Sequence, residues 1–357
     1  MTPIPLDCAQ GTEISFAQST LSAAEGPTDG PAEKDFMKPS FRHLFLAFAV
    51  LSVASWSASL TIAVIPKGTT HEFWKTVHAG AVKAGREDGA EIIWQGPAKE
   101  DDRKGQIEVV QNFTSRGVSA IVLAPLDETA LARPVETAVK RGVPTVIIDS
   151  DLKSKALSSF VATDNYAAGK LAAKHMAEIF SAKPKAKILV MRYLEGSASN
   201  SNRENGFLDG VKEYLPSCEI VSSNQYAGVT AESALKTAQN LLNKFSAVDG
   251  IFTPNAPTTF GMLRALQTAG RSGKVTLIGF DATEPLLNAM KAGEIAGLVV
   301  QDPFRMGYLG VKTAVAAAQG KKVEKRIDTG ARFVTAANLS DPEVKELVSP
   351  DLKKWLE

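Results

Sequence analysis

Two doubly wound α/β lobes with parallel sheets are the architecture this sequence predicts, on three observations. From Leu60 onward, short β-branched apolar runs alternate with amphipathic stretches of helical period, the pattern of parallel strands joined by crossover helices. Ten such runs can be counted, with a change of character near Thr163. The length of 357 residues suits about two domains.

The predicted strands are, in order, 60–65, 91–94, 120–124, 145–149, 160–162, 187–192, 219–222, 250–253, 275–279 and 297–301. Each is a short run rich in Val, Ile or Leu, and helical stretches fill most of the gaps. The first connection, 73–89, sets Val77, Ala81 and Ala84 on one side and Lys75, Lys83 and Arg86 on the other, as a helix covering a sheet should.

Residues 1–36 carry six acids, Asp7, Glu13, Glu25, Asp29, Glu33 and Asp35, against the single base Lys34, and show no strand or helix period. They are expected to be a disordered or over-extended leader. A basic segment from Lys38 to His43, an apolar run from Leu44 to Ala54 and the small residues Ser55, Ser57 and Ala58 follow. That order is that of a secretory signal, 37–58, and the apolar run is too short to span a bilayer. The exported protein is therefore expected to begin near Ser59.

Composition closes off several functions. Lys plus Arg number 40 against 39 Asp plus Glu, without the basic excess that counterion release from nucleic acid requires. Cys8 and Cys218 stand far apart with no second Cys beside either, which excludes a CxxC pair, a zinc knuckle and a disulfide framework. His71 and Glu72 open like a zinc-protease motif, but the next His is His78, off the required spacing. Gly196–Asn200 lacks the second Gly of a nucleophile elbow, and no phosphate-binding glycine loop is present. Neither an enzyme nor a cofactor or metal site is expected.

Sheets of this kind bind ligands outside the carboxyl ends of their strands, and those ends are polar. They carry Lys67 through Trp74, Asp149-Ser150-Asp151, Glu195 through Arg203, Pro254-Asn255-Ala256, Phe280-Asp281-Ala282 and Gln301-Asp302. Phe73-Trp74, Val146 to Asp149, Thr163-Asp164-Asn165 with Gly169-Lys170, Arg203 to Phe207, Leu263 to Gly270, Gly279-Phe280-Asp281 and Gln301 together resemble the periplasmic sugar-binding proteins of the ribose-binding type. Those are solute receptors of ABC importers with the type I periplasmic binding protein fold. The resemblance covers about 60–330 and implies two lobes joined by a three-stranded hinge. It assigns 59–163 plus 302–330 to the N-terminal lobe and 164–301 plus 331–357 to the C-terminal lobe.

The same resemblance implies a ligand set whose chemistry suits a sugar. Phe73 and Trp74 would stack on a ring face. Asp149, Arg203 and Asp281 would bind hydroxyls through charge-assisted hydrogen bonds, and the amides Asn255 and Gln301 can donate and accept at once. Tyr226 is a candidate second ring. Where ribose receptors carry Asn-Pro before the aromatics this chain has His71-Glu72, and Ser150 stands where they carry Arg. Lys67, Asp149-Ser150-Asp151 and Pro254-Asn255-Ala256 are similar instead to rhamnose and furanosyl autoinducer receptors. Simpler uses compete: Asp149 and Asp281 suit helix N-caps, Asn255 suits a turn, and Arg203 a solvated helix face.

The expected function is a periplasmic receptor that binds a monosaccharide or polyol between closing lobes. It would act as a monomer and deliver to a membrane permease. A sensory receptor of the same fold is the alternative. A repressor effector domain would need a helix-turn-helix before residue 60, where the chain offers acids and a signal segment.

Overall fold

The computed structural model describes residues 59–357; the readings of 1–36 and 37–58 lie outside the described residues. The elements follow in chain order. β1 (Thr61–Ile65), α1 (Glu72–Asp88), β2 (Glu91–Trp94), α2 (Arg103–Arg116), β3 (Ala120–Leu123), α3 (Ala132–Lys140), β4 (Thr145–Ile148) and β5 (Ser159–Ala162) form the first half. After a crossing come α4 (Asn165–Ile179), β6 (Lys187–Arg192), α5 (Ala198–Tyr214), β7 (Glu219–Tyr226), α6 (Ala231–Lys244), β8 (Gly250–Phe252), α7 (Ala256–Thr268), β9 (Thr276–Phe280), α8 (Glu284–Lys291) and β10 (Gly297–Gln301). The chain ends with α9 (Pro303–Ala318), β11 (Arg326–Asp328), β12 (Ala331–Val334), α10 (Pro342–Val348) and α11 (Lys353–Leu356).

Two six-stranded sheets result, ordered β11-β5-β4-β3-β1-β2 and β12-β10-β9-β8-β6-β7. Strand pairs are parallel except β10 with β12, so the second sheet departs from the all-parallel expectation at one edge. Both sheets have the same internal order and reverse direction between their first and third strands, the place where doubly wound sheets open a crevice. Side chains alternate between two apolar layers along each strand. Ile62 and Val64 face the layer containing Val77 and Met306, and Ala63 and Ile65 face that of Phe113 and Leu131. In the second lobe Leu189 and Met191 pack with Leu266, while Ile188 and Val190 pack with Phe207.

The chain passes between lobes after β5, after β10 and between β11 and β12. The first and third passages are tied together: Thr163 Oγ1 donates to Gly330 O at 3.1 Å, and Asp164 N and Gly330 N donate to Asp328 Oδ1 at 3.1 and 2.8 Å. The helices leaving the hinge begin on aspartate caps, Asp164 accepting from Ala167 N at 3.0 Å and Asp302 from Arg305 N at 2.8 Å. Strands β11 and β12 were not among the predicted runs. The stretch 331–357, assigned by resemblance to the second lobe, returns in part to the first: Arg86 of α1 donates to the carbonyls of Lys354 and Trp355.

Each lobe joins a cleft-bearing helix to a hinge helix through glycines. A Cβ on Gly80 of α1 would lie 2.0 Å from Phe304 O of α9, and one on Gly307 would lie 2.0 Å from Val77 O. A Cβ on Gly169 of α4 would meet Arg203 O at 2.1 Å, and one on Gly206 of α5 would meet Tyr166 O at 2.1 Å. Only glycine lets the two backbones approach so closely.

Candidate functional site

The carboxyl ends of both sheets face one narrow cleft, and eight of the nine expected ligand residues line it: Lys67, Phe73, Trp74, Asp149, Arg203, Asn255, Asp281 and Gln301. The ninth, Ser150, stands behind, its Oγ accepting from Ser199 N at 3.1 Å. It braces the cleft wall and does not form it. Tyr226 is exposed at the end of the edge strand β7 and is not part of the cleft.

From the first lobe, Lys67 follows β1 and puts Nζ 2.7 Å from Asp149 Oδ2 and 3.0 Å from Ser199 Oγ. The lysine is therefore no surface loop residue; it is 3% exposed. Phe73 and Trp74 open α1 with their rings edge-on, centroids 4.9 Å apart. Asp149 follows β4 with φ 62°, and Asp281 follows β9 with φ 66°. These are equivalent positions in the two lobes, both left-handed, a conformation Asp tolerates better than most residues. Neither Asp is the N-cap residue of a helix, that place before α7 and α8 being taken by Asn255 and Thr283. Asp281 accepts from Ala256 N at 3.1 Å and from Gln301 Nε2 at 2.8 Å.

From the second lobe, Arg203 rises from the first turns of α5 and is almost wholly buried. Its Nε donates to Asn165 Oδ1 at 2.7 Å, its Nη1 to Pro254 O at 2.9 Å, and its guanidinium lies 4.2 Å from the centre of the Phe280 ring. Asn255 lines the cleft while its Oδ1 caps α7 by accepting from Thr258 N at 3.1 Å, so the cap leaves its Nδ2 unused. Burial pushes the Asp281 carboxyl above its ordinary range, and the charge of Arg203 opposes the shift; burial likewise pulls the Arg203 guanidinium down against the pull of Asp281 and Asp149.

Buried side-chain atoms without a hydrogen-bond partner mark what the site is built to take. Arg203 Nη2, Gln301 Oε1 and Asn200 Oδ1 are such atoms, all on cleft residues. One is a donor and two are acceptors, and leaving them unmet costs about 1–3 kcal/mol each, more for the charged one. The free space between these residues is about 30 Å³, enough for a water or two and too little for a monosaccharide. Among the described residues no cluster of three or more His, Cys, Asp or Glu is placed to hold a metal ion.

Sequence reasoning passed over five lining residues: His71, Glu100, Ser199, Asn200 and Pro257. Ser199 and Asn200 lay within the polar stretch after β6, where only Arg203 was singled out. Glu100 follows the second strand, whose loop gave no signal.

Glu204, next to Arg203, accepts from Tyr193 N at 2.9 Å and from Arg192 Nη1 at 2.7 Å. Burial pushes its carboxyl up to about 7, against the pull of those partners. A carboxyl raised above its unfolded value contributes stability that is complete below the unfolded pKa and lost as pH rises through the folded one. Stability from this group should fall by about 3 kcal/mol from acid to alkaline pH, across the window from about 4.5 to about 7. Denaturant melts at several pH values should show this slope in the wild type and a flatter one in Glu204→Gln; equal slopes would refute the assignment.

A sequence profile described as the periplasmic binding protein domain matches residues 62–322. The chain is 28% identical to the ribose import binding protein of Haemophilus influenzae over 82% of its own length and 96% of that protein's. It is 39% identical to a carbohydrate transporter solute-binding protein of Agrobacterium radiobacter solved in complex with D-arabinose, with TM-score 0.78, covering 82% of this chain and 100% of that one. A solute-binding protein of Agrobacterium vitis with bound D-fucose is also 39% identical, with TM-score 0.77, covering 81% and 100%.

Proposed function

The chain belongs to the periplasmic binding protein family, and from that premise we propose that it is the solute receptor of a carbohydrate ABC importer, closing its lobes on a monosaccharide or related polyol. The observation that carries this reading is the unmet trio of Arg203 Nη2, Gln301 Oε1 and Asn200 Oδ1. A sugar hydroxyl donates one hydrogen bond while accepting others, so adjacent hydroxyls can satisfy a guanidinium and two amide oxygens together. Phe73 and Trp74 supply the apolar face against which C–H groups pack. Lys67 is already neutralised by Asp149, and the remaining cleft charges are Arg203 opposed by Asp281 and Glu100. A neutral ligand suits that balance better than an acid.

Family membership supports a periplasmic location and a receptor that delivers its ligand without converting it. Export through the segment 37–58, with cleavage between Ser57 and Leu60, completes the reading, as does a membrane permease that receives the sugar from the closed receptor.

A melting panel of D-arabinose, D-fucose, D-ribose and D-allose, with D-galacturonate as the acidic comparison, tests it. At about a hundred times its dissociation constant a ligand adds about 2.7 kcal/mol of stability, so at least one neutral sugar should raise the melting temperature by several degrees and the uronate should not. A panel in which no neutral sugar acts would refute the reading.

A further inference from the structure

Resting on the sugar-receptor reading, we propose that Glu100 is a positioning residue whose carboxylate clasps the closed lobes over the ligand, holding Trp74 with one oxygen and Tyr193 with the other. Glu100 lies in the loop between β2 and α2, on the first lobe. Its Oε1 accepts from the indole Nε1 of Trp74 at 2.7 Å, and its Oε2 accepts from the Tyr193 hydroxyl at 2.8 Å. Trp74 is a wall of the cleft on the same lobe. Tyr193 follows the last residue of β6, on the other lobe, so the second bond exists only when the cleft is shut.

The two donors are held firmly. Tyr193 is 1% exposed, and its backbone N is fixed by Glu204, which also grips Arg192. Arg192 Nε in turn donates to Ser223 O at 2.6 Å. A buried phenol needs an acceptor, and a carboxylate makes the stronger, charge-assisted bond. Burial, with the nearby Glu100 charge, holds the Tyr193 hydroxyl far above its ordinary pKa, so it remains a donor throughout the physiological range. Other bonds also cross the cleft, among them Lys67 to Ser199 and Arg103 Nη2 to Glu195 O at 2.9 Å. Glu100 alone of these ties the facing lobe to the aromatic that would stack on the sugar.

A bond made only after closure acts on release and leaves encounter untouched. The probe is whichever neutral sugar of the panel most raises the wild-type melting temperature, followed by stopped-flow fluorescence. Tyr193→Phe should speed sugar release about tenfold, the order expected for one charge-assisted bond, with the association rate within about twofold and the ligand-free melting temperature within about 2 °C. Glu100→Gln should speed release to a similar extent and also move the Trp74 indole N–H resonance. The double variant should release no faster than the faster single, because both remove one bond. Unchanged release in either single variant, or multiplying effects in the double, overturns the clasp while leaving the sugar reading intact. A wild type that responds to no sugar removes the sugar reading and the clasp with it.

Discussion

Arg203→Ala should weaken sugar binding by about a hundredfold or more, since truncating one partner of a buried hydrogen-bonded charge costs about 2–5 kcal/mol. The arginine meets Asn165 at the start of α4 and the carbonyl of Pro254 after β8, so the ligand-free melting temperature should fall too. Its unpartnered Nη2 is the part the proposed sugar would meet. Arg203→Lys separates the two tasks: it keeps the charge but lacks the fork that bonds two neighbours at once. That variant should recover some affinity and little of the stability. Calorimetry that found Arg203→Ala within about threefold of the wild type would remove the guanidinium from the site.

Gly206→Ala should be among the costliest single methyls in the second lobe. The added carbon would sit 2.1 Å from Tyr166 O, and that atom belongs to the backbone of α4, which cannot swing aside as a side chain can. Overpacking of this kind costs about 3 kcal/mol or more, and in a chain of this size that lowers the melting temperature by about 6–12 °C. Affinity should fall with it, because α5 carries Arg203 one turn earlier. A variant melting within 1 °C of the wild type, by the same scaling less than about 1 kcal/mol, would show that the helices are free to separate.

Much of this was legible because the chemistry sits where strand runs end. Asp149, Asp281 and Gln301 directly follow or close apolar runs such as Thr145–Ile148 and Gly297–Gln301, and Lys67 and Asn255 stand two and three residues past the ends of β1 and β8, so the fold rule that places ligands at carboxyl ends found them. What escaped did so for local physical reasons. Strands β11 and β12 read Arg-Ile-Asp and Ala-Arg-Phe-Val, short, partly exposed segments without the continuous apolar run of a buried strand. β7 runs on past Ser222 through Ser-Asn-Gln-Tyr, polar residues that an edge strand tolerates because one side meets solvent. Glu100 was invisible because its worth comes from Trp74 and Tyr193, 26 and 93 positions away. Ser150 was placed in the right neighbourhood, but a bond to Ser199 N turns it away from the cleft. Asn255 shows that a helix cap and a place on the cleft wall are compatible, since its Oδ1 caps α7 while the residue lines the cleft.

The glycine contacts between α1 and α9 make a lever of the first lobe. α9 starts beside the hinge at Pro303 and runs 16 residues, a rod of about 24 Å at 1.5 Å per residue. Because α1 lies clamped to it backbone against backbone, the end that carries Phe73 and Trp74 and the shaft that leaves the pivot turn as one piece. Over such an arm, each ten degrees or so of rotation sweeps the outer tip through an arc of about 4 Å. A small displacement at the cleft thus becomes a large one on the outer face of the lobe, where a membrane partner could tell a loaded receptor from an empty one without touching the sugar.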